Sequence, residues 1–458
     1  MNEVHERRRA TAAPGTEAGA ALYGKLSPGP GAPREQVLAH QRARVCGAVV
    51  EIVAKDGYGA LTVREIVQLA GVSTHTFYEL FDDKDVCFLE TYALLARRSA
   101  QRVIAAQAGC EHAPAGYEQW QRRLRVAFLA FARDLASERK AARFALVEAF
   151  AGGPGARARM RGAMGLYEAM LTNSFAHAPD GAATPPLVVK GIVSGIARVA
   201  RTRVMAGRGH ELPDLVDELV DWTLSLRCPQ ALALERLRLR TAQPAHGQPS
   251  ITAPAAAGQR DERERILDAT VSLAARDGFA ELTGPRIRTT AGISRRTFET
   301  YFTDVTDCFA AAVARLTERA MARAMHAGAR APDWPRGVHR AVQELCRLVL
   351  ADPVYAKLAF VEVLAPGPDG VRSRDATSAA VADALRASAP AQRRPSELSA
   401  EASVGAIWGL MHQSVAAGDA RRLQQIAPTL SFFALAPAIG AHDALAAIAA
   451  EHMRRAGL

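Results

Sequence analysis

Apolar residues near the start of this chain recur with the spacing of amphipathic helices rather than with the alternation of strands. Between positions 43 and 56 they fall at i, i+4, i+7 and i+8, which places them on one face of a helix. These residues are Val45, Val49, Ile52 and Val53. Asp56-Gly57 predicts the end of this helix, because glycine readily takes the left-handed conformation that follows many helix C-termini.

A second, shorter helix is predicted directly downstream. Thr62 stands in the position of an N-cap, and Glu65, three residues later, completes a capping box. The helix that they begin is expected to bury Ile66 and Leu69. It is expected to stop at Ala70-Gly71-Val72.

Ser73 follows at once as the N-cap of a third helix, in which Phe77 and Phe81 turn into the core. Asp82 or Asp83 then caps the next helix. A short helix, a turn with glycine and a second capped helix form a helix-turn-helix (HTH) arrangement. The second helix of such a motif can enter a DNA major groove with the side chains of its first turn leading.

The leading side chains in this segment are Thr74, His75 and Thr76. Tyr78 lies beside them and can reach a phosphate. Lys84 falls in the first turn of the following helix, where its ammonium and the helix N-terminus can both hold phosphate. For His75 a solvent-facing position remains as good an interpretation as a base contact.

The same pattern occurs a second time, without a gap, between residues 264 and 309. Phe88 and Phe309 are 221 positions apart, whereas Trp120 and Trp334 are 214 apart. The duplication therefore extends beyond the HTH pattern, and the first copy carries seven extra residues between Phe88 and Trp120.

These repeats predict an all-α protein made of two tandem units. Each unit consists of a three-helix HTH domain followed by a helical body, and a linker rich in Pro, Ala and Gln joins the units. The predicted segments are a disordered arm at 1–33, a first HTH domain at 34–88, a first body at 89–240, a linker at 241–259, a second HTH domain at 260–309 and a second body at 310–458.

Late in each unit two glycines stand four positions apart, Gly191 with Gly195 and Gly405 with Gly409. Such a pair lies on one helical face and permits close approach of another helix. Ordinary core packing and an interface shared by the two units are both open interpretations.

Composition narrows the function classes. Apolar residues make up 49% of the chain, yet no apolar run is long enough to span a bilayer. The N-terminus has no apolar segment typical of a secretory signal, so we expect a cytoplasmic protein without a membrane partner. The sequence contains no catalytic motif, no cofactor fingerprint and no Cys or His with metal-ligand spacing, so we expect neither an enzyme nor a bound metal or cofactor. Cys87 and Cys308, 221 positions apart, are expected to be buried helix positions.

Net charge does not by itself argue for nucleic acid. The chain carries a formal charge of +10. Between Arg34 and Phe88, however, six Lys and Arg face eight Asp and Glu, which makes the first HTH domain net acidic. Evidence for DNA binding must therefore come from the helix-turn-helix motif rather than from the net charge.

The segment LTVREIVQLAGVSTHTFYELFDDKDVCFLE resembles the DNA-binding domain of TetR/AcrR family bacterial transcriptional regulators. The caps, the AGVS turn, the TFY triplet and their spacing carry the resemblance. It implies a three-helix DNA-binding domain, a helical body that binds a small ligand and dimerises, and a homodimer on a palindromic site. Carried over by position, the DNA contacts are Arg64, Thr74, His75, Thr76, Tyr78 and Lys84.

The second copy departs from this pattern at the contact positions. Glu299 stands in place of Tyr78, and Val305 stands in place of Lys84. Arginine is the commonest direct reader of guanine, and this copy offers its own set of candidate contacts, Arg286, Arg295, Arg296 and Thr297. Either this domain recognises a different half-site, or it has decayed and its arginines form a solvated face.

These observations predict a DNA-binding, ligand-responsive repressor whose two fused units form a pseudo-dimer on an asymmetric operator. The expected partners are double-stranded operator DNA and an apolar small-molecule effector. A homodimer of chains remains an alternative assembly. The alternative function is a TetR-fold scaffold that binds a ligand or a protein and has weakened or lost DNA binding.

Overall fold

The computed structural model describes residues 33–109, 116–181, 184–227, 233–238, 250–252 and 261–455. Helices and turns account for these ranges, and no strand occurs within them, which confirms the all-α prediction. The first set of helices comprises α1 (Arg34–Asp56), α2 (Val63–Ala70), α3 (Thr74–Leu80), α4 (Lys84–Ala108), α5 (Tyr117–Ser137), α6 (Arg139–Leu146), α7 (Gly153–Ala176), α8 (Pro186–Met205), α9 (Val216–Ser225) and α10 (Ala233–Arg238).

The later part of the chain repeats this order. Its helices are α11 (Glu262–Asp277), α12 (Gly284–Ala291), α13 (Arg295–Tyr301), α14 (Val305–Ala329), α15 (Trp334–Ala351), α16 (Pro353–Phe360), α17 (Pro368–Ser388), α18 (Glu397–Ala416), α19 (Arg422–Ile439) and α20 (Ala441–Arg455). No helix of the described ranges combines the length and apolar character needed to cross a bilayer.

In the first HTH domain α1 packs against α2, α3 and α4. The predicted apolar faces of these helices form its core, in which Val45, Phe77 and Phe81 are buried. Leu69 is 55% exposed, so the prediction that it is buried is wrong. Ile66 and Ala70, four residues apart, occupy the inward face of α2, and Leu69 lies to the side of that face.

The segment predicted as the second HTH domain contains α11, α12 and α13 in the same order. Ser294, 221 positions after Ser73, accepts the Thr297 amide and so caps α13. Thr283 occupies the N-cap position of α12, but its side chain makes no capping hydrogen bond. Pro285 has no N–H, which removes one of the amides that an N-cap oxygen usually accepts.

The predicted cysteine positions are confirmed as buried. Cys87 and Cys308 are both inaccessible to solvent. Burial raises the pKa of the Cys308 thiol to about 11 and that of Cys87 further, so both remain thiols near neutral pH. Cys110 and Cys228 lie outside the described residues.

In the bodies, α4 packs against α5 and α7, and α14 packs against α15 and α17. The two bodies meet where α8 packs along α18, with α9 and α19 beside them. Their contacts run from the Arg203–Glu401 ion pair at one end to Gly409 against Ser194 further along, so the helices are antiparallel.

The paired glycines lie at this crossing, which selects the interface interpretation of the sequence. A Cβ atom built on Gly195 would lie 2.5 Å from the Ala402 carbonyl oxygen. One built on Gly405 would lie 3.2 Å from Gly195 Cα. The absence of side chains therefore sets how closely the two backbones approach.

Part of the predicted linker is packed against the second body. Ile251 is buried, and the amide and hydroxyl of Thr252 both donate to the Asp352 carboxylate at 2.9 Å. Asp352 also caps α16 through the Tyr355 amide. The predicted N-terminal arm up to residue 32 and the remainder of the linker, residues 241–249 and 253–259, lie outside the described residues.

The glycine crossing generates a stability prediction. We expect Gly195→Ala to lower the free energy of unfolding by about 1–3 kcal/mol, because the added methyl meets helix backbone that cannot move aside locally. Gly165→Ala in α7 is the matched control, since nothing lies within 4 Å of its new Cβ. The control should be neutral or stabilising by up to about 1 kcal/mol. Urea unfolding measures both, and equal effects would refute the packing argument.

A second prediction concerns His412, which is half-buried on α18 and stacks on Trp408. Burial, together with the nearby cations Arg374, Arg161 and Arg157, lowers its pKa to about 4, although its ring donates to the Phe360 carbonyl. The unfolded chain takes up this proton near pH 6.5 and the native chain does not. Stability from this group is therefore present above pH 6.5 and is lost as the pH falls toward 4, by up to about 3 kcal/mol.

We expect His412→Asn to flatten this decline, since asparagine can keep the hydrogen bond to the carbonyl and cannot titrate. Unfolding in urea at several pH values between 7 and 4 measures it. His40→Asn, at an exposed position of α1, is the control and should follow the wild type. Parallel curves for the wild type and His412→Asn would show that His412 does not contribute.

Candidate DNA-binding surface and body cavity

The turn between α2 and α3 has the geometry that the sequence predicts. Gly71 takes a left-handed conformation, with φ 62° and ψ 42°, and α2 ends there. The hydroxyl of Ser73 accepts the Thr76 amide at 3.0 Å and so begins α3. At the start of α2, Thr62 accepts the Glu65 amide at 3.2 Å. Both helices of the motif are thus fixed by short-range capping bonds.

The predicted contact residues of the first HTH domain lie on an accessible surface. Arg64, Thr74 and His75 are exposed, and Tyr78 is 55% exposed. Thr76 is half-buried, and its hydroxyl lies 2.9 Å from the Ser73 hydroxyl. The side chains of the first turn of α3 therefore face outward while Phe77 and Phe81 hold the helix in place.

Lys84 has a structural bond as well as its predicted role. Its Nζ donates to the Leu61 carbonyl at 3.1 Å and lies 5.5 Å from the centroid of the Tyr58 ring. The Tyr58 hydroxyl in turn donates to Asp85 at 2.6 Å. An ammonium has three donors, so the bond to Leu61 does not exhaust its capacity to bind phosphate. Asp83 rather than Asp82 caps α4, through the Val86 amide.

Arg44 was not among the residues predicted from the sequence. Its guanidinium donates to the Gly71 carbonyl at 2.8 Å and so places a cation beside the turn of the motif. Arg44 and Gly71 are 27 positions apart, and no helical or capping spacing connects them. Only the packing of α1 against α2 brings them together.

In the second HTH domain several candidate contacts already have protein partners. Arg295 pairs with Glu299, the residue that replaces Tyr78, at 2.7 Å. Arg286 pairs with Asp277 and donates to the Glu281 carbonyl. Thr297 lies by the Ser294 hydroxyl, and Arg296 is exposed. A phosphate or base would have to compete with carboxylates for two of the three predicted arginines.

The first body encloses a cavity of about 180 Å³ between α4, α5, α6, α7 and α8. Most of its wall is apolar and aromatic, and Ser99 is also among the lining residues. The aromatic side chains that line it are Tyr92, Phe128, Phe131 and Tyr167. Apolar protein cavities of about 150 Å³ accept a molecule of the size of benzene.

Charged groups at this cavity are mostly paired with one another. Arg102 bonds to Asp134 and, at 3.2 Å, to Glu138. Arg98 also lines the wall. Two cations and two carboxylates leave this group with no net charge, so the wall favours a largely neutral, apolar occupant.

Helix α6 connects this cavity to the first HTH domain. Ala141, Ala142 and Ala145 on α6 line the cavity. On the other side of the helix, the ring of Phe144 lies 4.8 Å from that of Phe88, and Lys140 pairs with Glu51 of α1. A displacement of α6 by an occupant of the cavity would therefore move contacts of the HTH domain.

The second body has a smaller cavity, of about 70 Å³. The difference in volume arises from side chains at corresponding positions of the two bodies, which are 214 residues apart. Tyr355, Phe360 and Met411 line the second cavity, whereas Ala141, Leu146 and Ala197 line the first at the corresponding positions. Larger side chains thus fill the space in the second body.

Within the described ranges no group of three His, Cys, Asp or Glu side chains could hold a metal ion.

Comparison with known proteins places the HTH motif in a family. Residues 48–91 match the model of the family described as bacterial regulatory proteins, tetR family. The match covers α2, α3 and parts of α1 and α4. The first HTH domain is thus a TetR-type DNA-binding domain, which supports a transcriptional regulator. No curated protein matches the chain.

Three solved structures resemble parts of the chain. The fatty acid degradation regulator FadR from Bacillus halodurans is 18% identical, with a TM-score of 0.36, over 40% of this chain and 94% of its own. FadR from Bacillus subtilis in complex with stearoyl-CoA is 17% identical, with a TM-score of 0.35, over 40% and 97%. A putative transcriptional regulator from Pseudomonas aeruginosa PAO1 is 20% identical, with a TM-score of 0.33, over 42% and 91%. Similarity at this level carries no information on function.

The cavity generates a binding prediction. We expect the neutral fluorescent probe 1-aminonaphthalene to bind the first body, and Ala197→Met to weaken its binding about tenfold or more by filling the space. Ala158→Met, an exposed position on α7, is the matched control and should bind as the wild type does. Titration followed by fluorescence measures the affinity. Equal affinity in all three proteins would place the probe elsewhere.

Proposed function

We propose that this protein is a ligand-responsive transcriptional repressor of the TetR type, in which the two units of one chain form a pseudo-dimer on an asymmetric operator. The observation that carries the proposal is the exposed first turn of α3 inside a TetR-type domain, where Thr74, His75 and Tyr78 face outward from a buried core. An α-helix presented in this way fits the major groove of DNA.

The first HTH domain would bind one half-site with this face. Lys84 and Tyr78 would contact phosphate, and Arg44 beside the turn would add a third phosphate contact. Arg64 on the preceding helix lies on the same accessible side. Because the domain is net acidic overall, these few cations must supply the attraction to the DNA backbone.

The second HTH domain would bind the other half-site differently. Arg296 and Thr297 stand in the first turn of α13, and Arg295 and Arg286 would have to exchange their carboxylate partners for DNA. Unequal contact surfaces on the two domains support an operator with unequal halves.

Regulation would start at the cavity of the first body. An apolar effector there would press on α6, whose opposite side holds Phe88 and Glu51 of the HTH domain. If the effector binds better when α6 has moved and DNA binds better when it has not, each ligand weakens the binding of the other, because the coupling between two ligands is reciprocal. Such a protein would work in the bacterial cytoplasm, where the chromosome is.

One observation favours the alternative, a scaffold of TetR fold without DNA binding. The carboxylates Glu299 and Asp277 occupy two arginines of the second HTH domain, and the first domain is net acidic. This protein would bind its ligand in the same cavity and show no affinity for DNA. Affinity for DNA separates the two functions.

The test is binding to duplex DNA from the promoter region of the protein's own gene, measured by gel shift at several salt concentrations. We expect Lys84→Ala to weaken binding and to reduce the slope of log affinity against log salt by about one, as loss of one phosphate contact requires. Tyr78→Phe should weaken binding about fivefold through loss of one hydrogen bond.

Two controls keep the outcome interpretable. Arg133→Ala removes an exposed charge from α5 and should leave both affinity and slope unchanged. Since Lys84 also bonds to Leu61, thermal melts must show that each variant is folded at the assay temperature. A wild-type protein with no specific affinity for that DNA, but with retained binding of the cavity probe, would favour the scaffold.

A further inference from the structure

Charged side chains from both units are buried together where the bodies meet. Arg198 and Arg201 of α8 both bond to Asp375 of α17, at 3.1 Å and 3.0 Å. Arg374 of α17 adds a third guanidinium to the same carboxylate. The side chains of Arg198, Asp375 and Arg374 are 4%, 8% and 4% exposed, so solvent screens these charges little.

A second carboxylate completes this cluster. Glu401 of α18 accepts from Arg203 and from the Thr202 hydroxyl, both at 2.6 Å. Its carboxylate also lies 4.0 Å from Arg198 Nε. Every cation of α8 in this cluster thus takes its carboxylate from the second unit.

The antiparallel crossing of α8 and α18 relates the two units by an approximate twofold axis. The axis exchanges positions that are 214 apart. It therefore relates Arg198 to His412 and Asp375 to Arg161. In agreement with this relation, Arg161 is among the cations that act on His412. Positions related by the axis thus carry different charges.

Pairing of like units would give a different charge pattern. Two first units joined about the same axis would place Arg198 of each opposite Arg161 of the other, with no carboxylate at the position of Asp375. Two second units would place Glu401 opposite residues 416 and 417, which are alanines, in place of Thr202 and Arg203. Both arrangements bury charges without partners, which is strongly unfavourable.

We propose that this cluster selects the partner of each body: the arginine face of the first unit accepts the acidic face of the second unit and rejects another first unit. Asp375 and Glu401 act as the selecting groups. The interface thereby disfavours association of chains through like units and favours the pairing of unlike units within one chain. This proposal rests on the pseudo-dimer of the proposed function and goes on to name what specifies it.

The first test reverses the central charge in the full-length chain. We expect Asp375→Arg to lower the melting temperature by about 10 °C and to increase the hydrodynamic radius, because four buried cations would then face one another. Asp383→Arg, on the same helix with a side chain that is 73% exposed, is the matched control and should behave as the wild type. An unchanged radius and melting temperature for Asp375→Arg would overturn the proposal.

A second variant tests selection by a gain rather than a loss. Combining Arg161→Asp with Asp375→Arg exchanges the charges at the two related positions, so that first units of two chains become complementary. We expect light scattering to give the mass of one chain for the wild type. For the double variant, the mass should rise toward that of two chains as the protein concentration increases from about 10 µM to about 1 mM. Millimolar values are typical effective concentrations for two sites joined by a short linker.

A double variant that stays at the mass of one chain, with wild-type radius and stability, would overturn the proposal. A wild-type protein that is itself a dimer of chains paired through like units would do the same. These measurements involve no DNA. Failure of the DNA-binding test would therefore refute the repressor and leave the selection of partners standing, and the reverse also holds.

Discussion

The close crossing of α8 and α18 is the contact on which the arrangement of this molecule depends. Gly195 and Gly405 bring the two backbones together, and Phe433 closes over Gly191 beside them. Such an approach leaves no room for water, so polar groups at its edges must find partners within the protein. Asp375 provides one, and the Trp222 indole donates to Ser403 across the same boundary.

This junction limits which walls of the first cavity can be displaced. The cavity of the first body lies between helices that end at the junction and helices that carry the HTH domain. If α8 is held by the second unit, an occupant of the cavity has to displace the other walls, which include α6, although α6 itself packs against α8. The carboxylate of Glu148, just after α6, bonds to Arg143 and lies beside Gly57 at the end of α1. At the corresponding position of the second unit the contact is a hydrogen bond, since the Glu362 carboxylate accepts the Phe279 amide at 3.0 Å.

Features that depend on spacings of three or four residues could be predicted from the sequence. The caps at Thr62 and Ser73, the turn at Gly71 and the buried faces of Phe77 and Phe81 are of this kind, because local hydrogen bonds and helical periodicity determine them. Leu69 shows the limit of that reasoning. On a helix of eight residues the inward face is narrow, and which apolar residue occupies it depends on the neighbouring helix.

Features that join distant segments could not be predicted. Arg198 and Asp375 are 177 positions apart, and neither stands in a motif. The bond from Lys84 to the Leu61 carbonyl was also missed, because the sequence suggests only that a lysine at a helix N-terminus can bind phosphate. The glycine pairs were visible, yet the sequence left open whether they served a core or an interface. Tertiary packing decides each of these.

The two units differ in a way that follows from sharing one interface. In a homodimer each interface residue occurs twice, at positions related by the symmetry axis. A buried arginine would therefore have the same surroundings at both positions, and neither could change without the other. Once two units are in one chain, the positions related by the axis can change independently, and Arg198 can acquire Asp375 while His412 faces Arg161. The same freedom applies away from the interface. Tyr355 can fill the second cavity while Ala141 leaves the first one open, and Glu299 can pair with Arg295 in one domain while Tyr78 stays exposed at the corresponding position of the other.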